Sequence, residues 1–257
     1  MVRGLTVFKK YFDAFPENYV IIGGTACDLI LEEAGFIPRA TKDIDIILIV
    51  EALNSEFVKQ FWLFIEDGNY ERKEKSEEER KYYRFMKPQN PDFPYQIELF
   101  ARNPDLLDFD EHSFLTPIPV DDDLTSLSAI LMDDDYYHFL LAHSELENGL
   151  HLANIESLIC LKAKAYLEIA TRIANGSRED AKHLRKHKGD VFRLAVILTP
   201  NDHFELSDTL KADMQAFVNV VTEDLPDKSI FKEMGINSVS ASDILSLLVD
   251  SFGLEIM

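Results

Sequence analysis

Along the first half of the chain the apolar positions switch between helical and strand spacing, which predicts a layered α/β structure. Residues 6–15 repeat at helical spacing, 19–22 form a short apolar strand, and 25–34 return to a helix with Ala26, Leu29 and Ile30 on one face. Residues 44–50 are an apolar, β-branched run suited to the middle of a sheet. A helix over 55–66 follows, and its stripe of Phe57, Phe61, Phe64 and Ile65 takes in Trp62, so the single tryptophan is expected in the core. Residues 69–86 read as two strands around the charged run 72–81, a solvated hairpin tip with no chemistry assigned. Pro88, Pro91 and Pro94 before it and Pro104 after it bound a strand over 95–101, and 114–120 and 127–132 are candidate edge strands.

From residue 154 onward the pattern is helical, over 155–174, 177–198, 205–221 and 240–251. A boundary near Gly149 therefore divides the chain into a first domain, 1–150, and a helical domain, 151–257, with no Gly/Ser linker between them.

Charge adds two features to this picture. Lys plus Arg total 26 against 46 Asp plus Glu, a formal charge of -20, which repels polyanions and argues against broad nonspecific nucleic-acid binding. Between Arg102 and Lys162 there is no Lys or Arg, and the acidic runs 121–123 and 133–135 fall there. They lack the glycine and spaced ligands of a calcium loop and read as solvated turns. From Lys162 to Arg193 the sign reverses, which makes that stretch the candidate surface for a phosphate-bearing partner. No apolar run approaches the roughly 20 residues of a membrane helix, and the N-terminal residues lack the apolar segment of a secretory signal. Cys27 and Cys160 both lie in predicted helices and build neither a disulfide framework nor a metal site. The expectation is a soluble protein of the reducing cytoplasm with no membrane partner.

The candidate chemistry lies between residues 19 and 50. A strand ending in Gly23-Gly24 can turn tightly and approach a ligand, and the following helix directs unpaired N–H groups and its positive end at the same place, where phosphate fits and Thr25 adds a hydroxyl. Asp43 and Asp45, one residue apart on the next strand, project from one face while Ile44 and Ile46 project from the other. Two such carboxylates repel unless one stays protonated or a hard divalent cation takes oxygens from both, and magnesium is the natural occupant. Arg39 and Lys42 flank the pair and can pin phosphates or brace the turn. Separately, each motif has an ordinary reading, a glycine turn and a capped or solvated strand end; their placement in one strand-turn-helix-strand unit favours a metal-nucleotide site.

Gly23-Gly24-Thr25 followed by Arg39-Ala40-Thr41-Lys42-Asp43-Ile44-Asp45 resembles the signature of the DNA polymerase β nucleotidyltransferase superfamily, and within it the AbiE-type toxins of abortive-infection and type IV toxin–antitoxin systems. The resemblance implies an α/β (α+β) nucleotidyltransferase core with a mixed sheet, followed by a C-terminal helical domain closing the active-site cleft. It also implies a third carboxylate on a neighbouring strand, for which Glu98 is the candidate metal ligand beside Asp43 and Asp45; the alternative is an edge-strand glutamate in water or paired with a base. Lys162, in the middle of an apolar helix face, either snorkels, pairs with an acid or reaches a ligand, and Lys162 with Ala165 resembles the family's Lys-x-x-Ala. Lys186, His187 and Asp190 are the nearest match to Arg-Asp-x-x-Asp, with Lys186 in place of Arg and His187 in place of the first Asp. Asp190 is the candidate base, and His187 otherwise reads as an exposed helix histidine.

The activity implied is transfer of a nucleoside monophosphate from an NTP to an acceptor hydroxyl, with magnesium or manganese. Acceptors suggested by the resemblance are RNA such as tRNA, or a protein, and an antitoxin protein is the implied partner. A non-catalytic NTP-binding module, or an antibiotic-type nucleotidyltransferase with a small-molecule acceptor, are the alternatives.

Overall fold

The computed structural model describes residues 2–71, 82–100, 130, 133–177 and 180–256. Six strands in one mixed sheet and nine α-helices among these residues give a mixed α/β architecture. They form two compact units: of the described residues, 2–28, 40–71, 82–100 and 144–153 belong to the first, and 29–39, 130, 133–143, 154–177 and 180–256 to the second.

The first unit holds the whole sheet. Its strands are β1 (Tyr19–Ile22), β2 (Asp43–Leu48), β3 (Tyr82–Met86), β4 (Gln96–Phe100), β5 (Ser144–Glu147) and β6 (Leu150–Ala153), in the spatial order β3-β4-β2-β1-β6-β5. β1 runs antiparallel to β2 and parallel to β6, β2 runs parallel to β4, and β3 and β5 are each antiparallel to their neighbour. All four residues of β1 are fully buried, which is why this run of Tyr, Val and two Ile shows no polar alternation. Helix α1 (Leu5–Phe12) packs on α3 (Ser55–Gly68) through aromatic rings, with Phe64 5.8 Å from Phe8 and 5.3 Å from Phe12. Tyr19 and Phe85 join this cluster from the sheet, against Phe8 and Phe61. Asn54 starts α3 by accepting a hydrogen bond from the Phe57 amide. Trp62, expected in the core, is only half-buried, because it lies on the flank of the helix stripe with its ring edge-on to Phe61 and Phe85.

The β5–β6 hairpin was not anticipated from the pattern of the sequence. Its two-residue turn is Asn148-Gly149, both with positive φ (49° and 75°), the backbone that matches the twist of paired strands. Its strands are four residues each, too short for alternation to stand out. The expected strands over 114–120 and 127–132, apart from Ile130, lie outside the described residues, as do the charged run 72–81 and the acidic run 121–123.

Helix α2 (Gly23–Glu33) begins in the first unit and ends in the second. The second unit is otherwise formed by α4 (Asp134–Ala142), α5 (Ile155–Ala174), α6 (Ala181–Ala195), α7 (Asp208–Glu223), α8 (Ser229–Glu233) and α9 (Ala241–Ser251). Its core is α5, which buries Leu158, Ile159, Leu161, Tyr166 and Ile169 and packs on both α6 and α7. The acidic run 133–135 is the start of α4: Asp133 accepts hydrogen bonds from the amides of Asp135 and Tyr136, and Asp134 and Asp135 sit at the positive helix end. Asp180 caps α6 in the same way, so that helix starts later than hydrophobic spacing suggests. No helix among the described residues is long and apolar enough to cross a membrane. Both cysteines are buried as free thiols.

Phe64 has no exposed surface and meets Phe8, Tyr11, Phe12, Tyr70 and Phe93. Phe64→Ala should therefore destabilise the protein by about 3–5 kcal/mol, the range for a buried phenylalanine that leaves a cavity. Urea unfolding followed by far-ultraviolet circular dichroism measures the shift in midpoint.

Candidate active site

The parallel register of β2 and β4 sets Asp43 opposite Gln96 and Asp45 opposite Glu98. Side chains alternate along a strand, so Asp43, Asp45, Gln96 and Glu98 share one face. Arg84 stands opposite Glu98 on β3 and extends the same row. Glu98 is buried; Arg84 donates to its Oε1 from Nε at 2.8 Å, and the Gln96 amide donates to the same oxygen. Burial, and then the negative charge of Asp45, push the Glu98 carboxyl up to about 8, against the pull of Arg84 and with a further push from Asp43. At neutral pH Glu98 therefore holds a proton, since a third negative charge on this face is disfavoured.

Close approach of α2 to this face requires glycine. Gly23 has φ +69°, and a Cβ there would lie 1.7 Å from Asp45 Oδ2; at Gly24 it would lie 2.6 Å from Thr41 Oγ1. The first turn of α2 thus presses its positive end against the Asp45 carboxylate. Thr25 is fully buried and donates its hydroxyl proton to the Asp43 carbonyl, so it braces β2 rather than presenting its hydroxyl outward. One turn on, the buried Asp28 accepts a hydrogen bond from the Thr41 amide at 2.6 Å. Together Thr25 and Asp28 fix the backbone of residues 41–43 to α2. Lys42 is exposed beside Asp43.

A different charge cluster occupies the second unit. Asp190, 4% exposed, faces Lys162 Nζ at 3.3 Å, Arg39 Nη2 at 3.6 Å and Arg193 Nη1 at 3.5 Å. Burial alone would raise its carboxyl, but Lys162, Arg39 and Lys186 outweigh that and hold it below the ordinary value. Lys162 is itself buried, on the apolar face that helical spacing predicts. His187 is half-buried, not exposed, and its Nδ1 is enclosed without a hydrogen-bond partner. Burial, then Lys162 and Lys186, depress its proton affinity well below the usual histidine value, so the ring is neutral.

Of the residues singled out from sequence, Asp43, Asp45, Glu98, Gly23, Gly24, Thr25 and Lys42 come together in the first unit. Lys162 and Asp190 meet in the second, and Arg39, expected beside Asp43 and Asp45, pairs there with Asp190. Sequence reasoning missed Arg84, Gln96 and Asp28. Arg84 and Gln96 are the polar positions of otherwise aromatic or aliphatic strands, a signal that was present. Asp28 interrupts the apolar stretch of α2 and could have been noticed as a buried acid in need of a donor.

Among the described residues no three His, Cys, Asp or Glu side chains form a ready-made metal cage, and one oxygen of Glu98 is engaged by Arg84 and Gln96. The donor set still fits a hard divalent cation. All its atoms are oxygen, and the crowding that keeps Glu98 protonated is what such an ion relieves. Asp43 and Asp45 would hold it, with Glu98 joining on loss of its proton.

Two expectations follow for stability in divalent-free buffer. Glu98 is pushed up to about 8 in the folded chain from the 4.5 of an exposed glutamate, so its contribution is full below about 4.5 and is lost as pH rises towards 8. Glu98→Gln should match wild type in Tm near pH 5 and exceed it near pH 8 by on the order of 3 °C or more. Asp190 has the opposite sign: its depressed folded value gives stability present above the unfolded pKa and lost as pH falls through the folded one. Asp190→Asn should lower Tm at pH 7, with the difference from wild type shrinking below about pH 4. Calorimetric melting across pH measures both.

No family model matches the chain, and a comparison with curated proteins gives no match. The chemistry of the site therefore rests on its own residues.

Proposed function

We propose that the chain is a magnesium-dependent nucleotidyltransferase that moves a nucleoside monophosphate from an NTP to an acceptor hydroxyl. The observation that carries this reading is the β2–β4 register, which sets Asp45 beside Glu98 with Asp43 on the same face and α2 behind them. The resemblance of the Gly23-to-Asp45 motif to the DNA polymerase β superfamily, and to AbiE-type toxins within it, supports the same assignment. It makes RNA such as tRNA, or a protein, the acceptor, and an antitoxin the partner.

A magnesium ion, or manganese in its place, held by Asp43 and Asp45 would supply neutralising charge for the triphosphate and polarise the α-phosphoryl group. The remaining work falls to the chain. Gly23 and Gly24 let the first turn of α2 come close to Asp45 and Thr41, and the amides and positive end of that turn favour negative charge such as phosphate beside the carboxylates. Thr25 and Asp28 hold residues 41–43 in place, so the two carboxylates are positioned before the nucleotide arrives. Arg84 and Gln96 orient Glu98. Lys42 offers an exposed cation beside Asp43 for phosphate. In the second unit Asp190 holds Lys162 and Arg39, and the resemblance alone proposes Lys162 as a charge for anionic groups of the substrate. Surrounded by three cations, Asp190 is too weak a base to take the acceptor proton itself.

Incubation with each radiolabelled NTP, magnesium and total cellular RNA and protein tests the reading. Wild type should label an acceptor and release pyrophosphate. Asp43→Asn and Asp45→Asn should each lower transfer by roughly 100-fold or more, the scale on which one lost transition-state stabiliser acts. Equal labelling by wild type and both variants would remove the catalytic reading, whereas tight NTP binding without pyrophosphate release would identify a binding module.

A further inference from the structure

The β5–β6 hairpin carries a pair of side chains that the proposed nucleotidyl transfer does not use. His151 on β6 lies with Nδ1 2.7 Å from the carbonyl oxygen of Pro16 and with Nε2 3.0 Å from the Ser144 hydroxyl on β5. The Pro16 carbonyl fixes the tautomer of the neutral ring. A carbonyl oxygen only accepts, so Nδ1 carries a proton; in the neutral ring Nε2 is then a bare lone pair, and the Ser144 hydroxyl must donate to it. The result is a hydroxyl, a base within hydrogen-bond reach of it, and a third group that fixes the tautomer and orientation of the base, the arrangement that activates a serine nucleophile. All three belong to the first unit. The register accounts for the meeting: Leu146 stands opposite His151, and Ser144 is the next residue of β5 on the same face. Both Ser144 and His151 retain partial exposure, and β5 is an outer strand of the sheet among the described residues.

We infer that Ser144 is a nucleophile activated by His151, directed at an uncharged acyl ester. The preference for an acyl over a phosphoryl centre comes from charge. The hairpin 144–153 itself carries no Lys or Arg to neutralise an anionic phosphoryl donor, and the formal charge of -20 on the chain disfavours one further. In the step, the Ser144 Oγ–acyl bond forms as the ester C–O bond breaks. The hydroxyl proton passes to His151 Nε2 and from there to the departing alcohol oxygen. Water then adds to the acyl-serine with His151 again taking a proton, and the carboxylic acid is released with Ser144 restored.

The test uses the full chain and does not depend on nucleotide chemistry. A fluorophosphonate probe forms an Oγ–P bond with loss of fluoride at a base-activated serine, and peptide mass spectrometry locates the adduct. Wild type should be modified at Ser144, Ser144→Ala should lose the adduct, and His151→Asn should form it about 100-fold more slowly or worse, the lower range for loss of a general base. His151→Asn keeps an amide donor for the Pro16 carbonyl while removing the Nε2 acceptor, and wild type denatured in urea gives the rate of an unactivated serine. Hydrolysis of p-nitrophenyl acetate should show an initial burst in wild type that is absent in both variants. The inference is overturned if wild type carries no Ser144 adduct, or if native wild type reacts no faster than His151→Asn or the urea-denatured chain.

Discussion

Three carboxyl groups on one face of a sheet, imposed by the pairing of β2 with β4, form the constraint to which the surrounding structure answers. Register constrains the arrangement: a one-residue slip of β2 would move Asp45 away from Glu98 and turn Ile44 and Ile46 out of the core. The protein accommodates the crowding in three ways. Glu98 keeps a proton, Arg84 places a positive charge against it, and the positive end of α2 lies on Asp45. Gly23 belongs to this solution, because any side chain there would occupy the space of the Asp45 carboxylate. Local arrangements that oppose stability persist where another requirement overrides it, and a ligand that brings positive charge is the simplest such requirement here.

The buried charges of the second unit show the contrary case. Asp190 is as enclosed as Glu98 but meets Lys162, Arg39 and Arg193, so its carboxylate stays ionised and the cluster is internally compensated. The two acids differ in environment rather than in type: both are buried, but Glu98 meets two further carboxylates and a single arginine, whereas Asp190 meets three cations. That difference decides their chemistry. A carboxyl raised towards neutral pH exchanges its proton readily with water or with an arriving cation, whereas one clamped by three cations acts as an anchor for them.

Much of this was legible in the sequence, for identifiable reasons. The strands that build the site are the most apolar runs of the first half, and α5 is long enough for its spacing to define both ends, Ile155 and Ala174. Asp43, Asp45, Gly23 and Gly24 were recognisable because strand periodicity and glycine backbone freedom act over a few residues. The missed features have physical causes too. Asn148-Gly149 is a strong hairpin signal, but flanking strands of only four residues give little periodicity beside it, and the segment read instead as a boundary. The α4 helix was hidden because its Asp133 cap and acidic first turn resemble a solvated turn until the helix is seen. Arg84, Gln96 and the destination of Arg39 depend on strand pairing and on contacts far apart in sequence, which no local pattern encodes.

The same contacts alter how the basic stretch from Lys162 to Arg193 bears on an acceptor. By sequence it is a candidate surface for phosphate, but its charges are not uniformly presented. Lys162 is buried against Asp190, Lys188 is buried with its ammonium 2.6 Å from Asp224, and Arg193 bridges Asp190 and Glu233. Their cationic heads are directed inward and compensated, leaving Lys182, Arg185 and Lys186 as the exposed cations of α6. A long nucleic-acid footprint needs many phosphate contacts and grows weaker with each charge withdrawn from the surface, the more so on a chain of net charge -20. Under nucleotidyl transfer, the acceptor that suits this surface is one recognised over a short span, an RNA terminus or a single side chain of a protein, rather than an extended duplex.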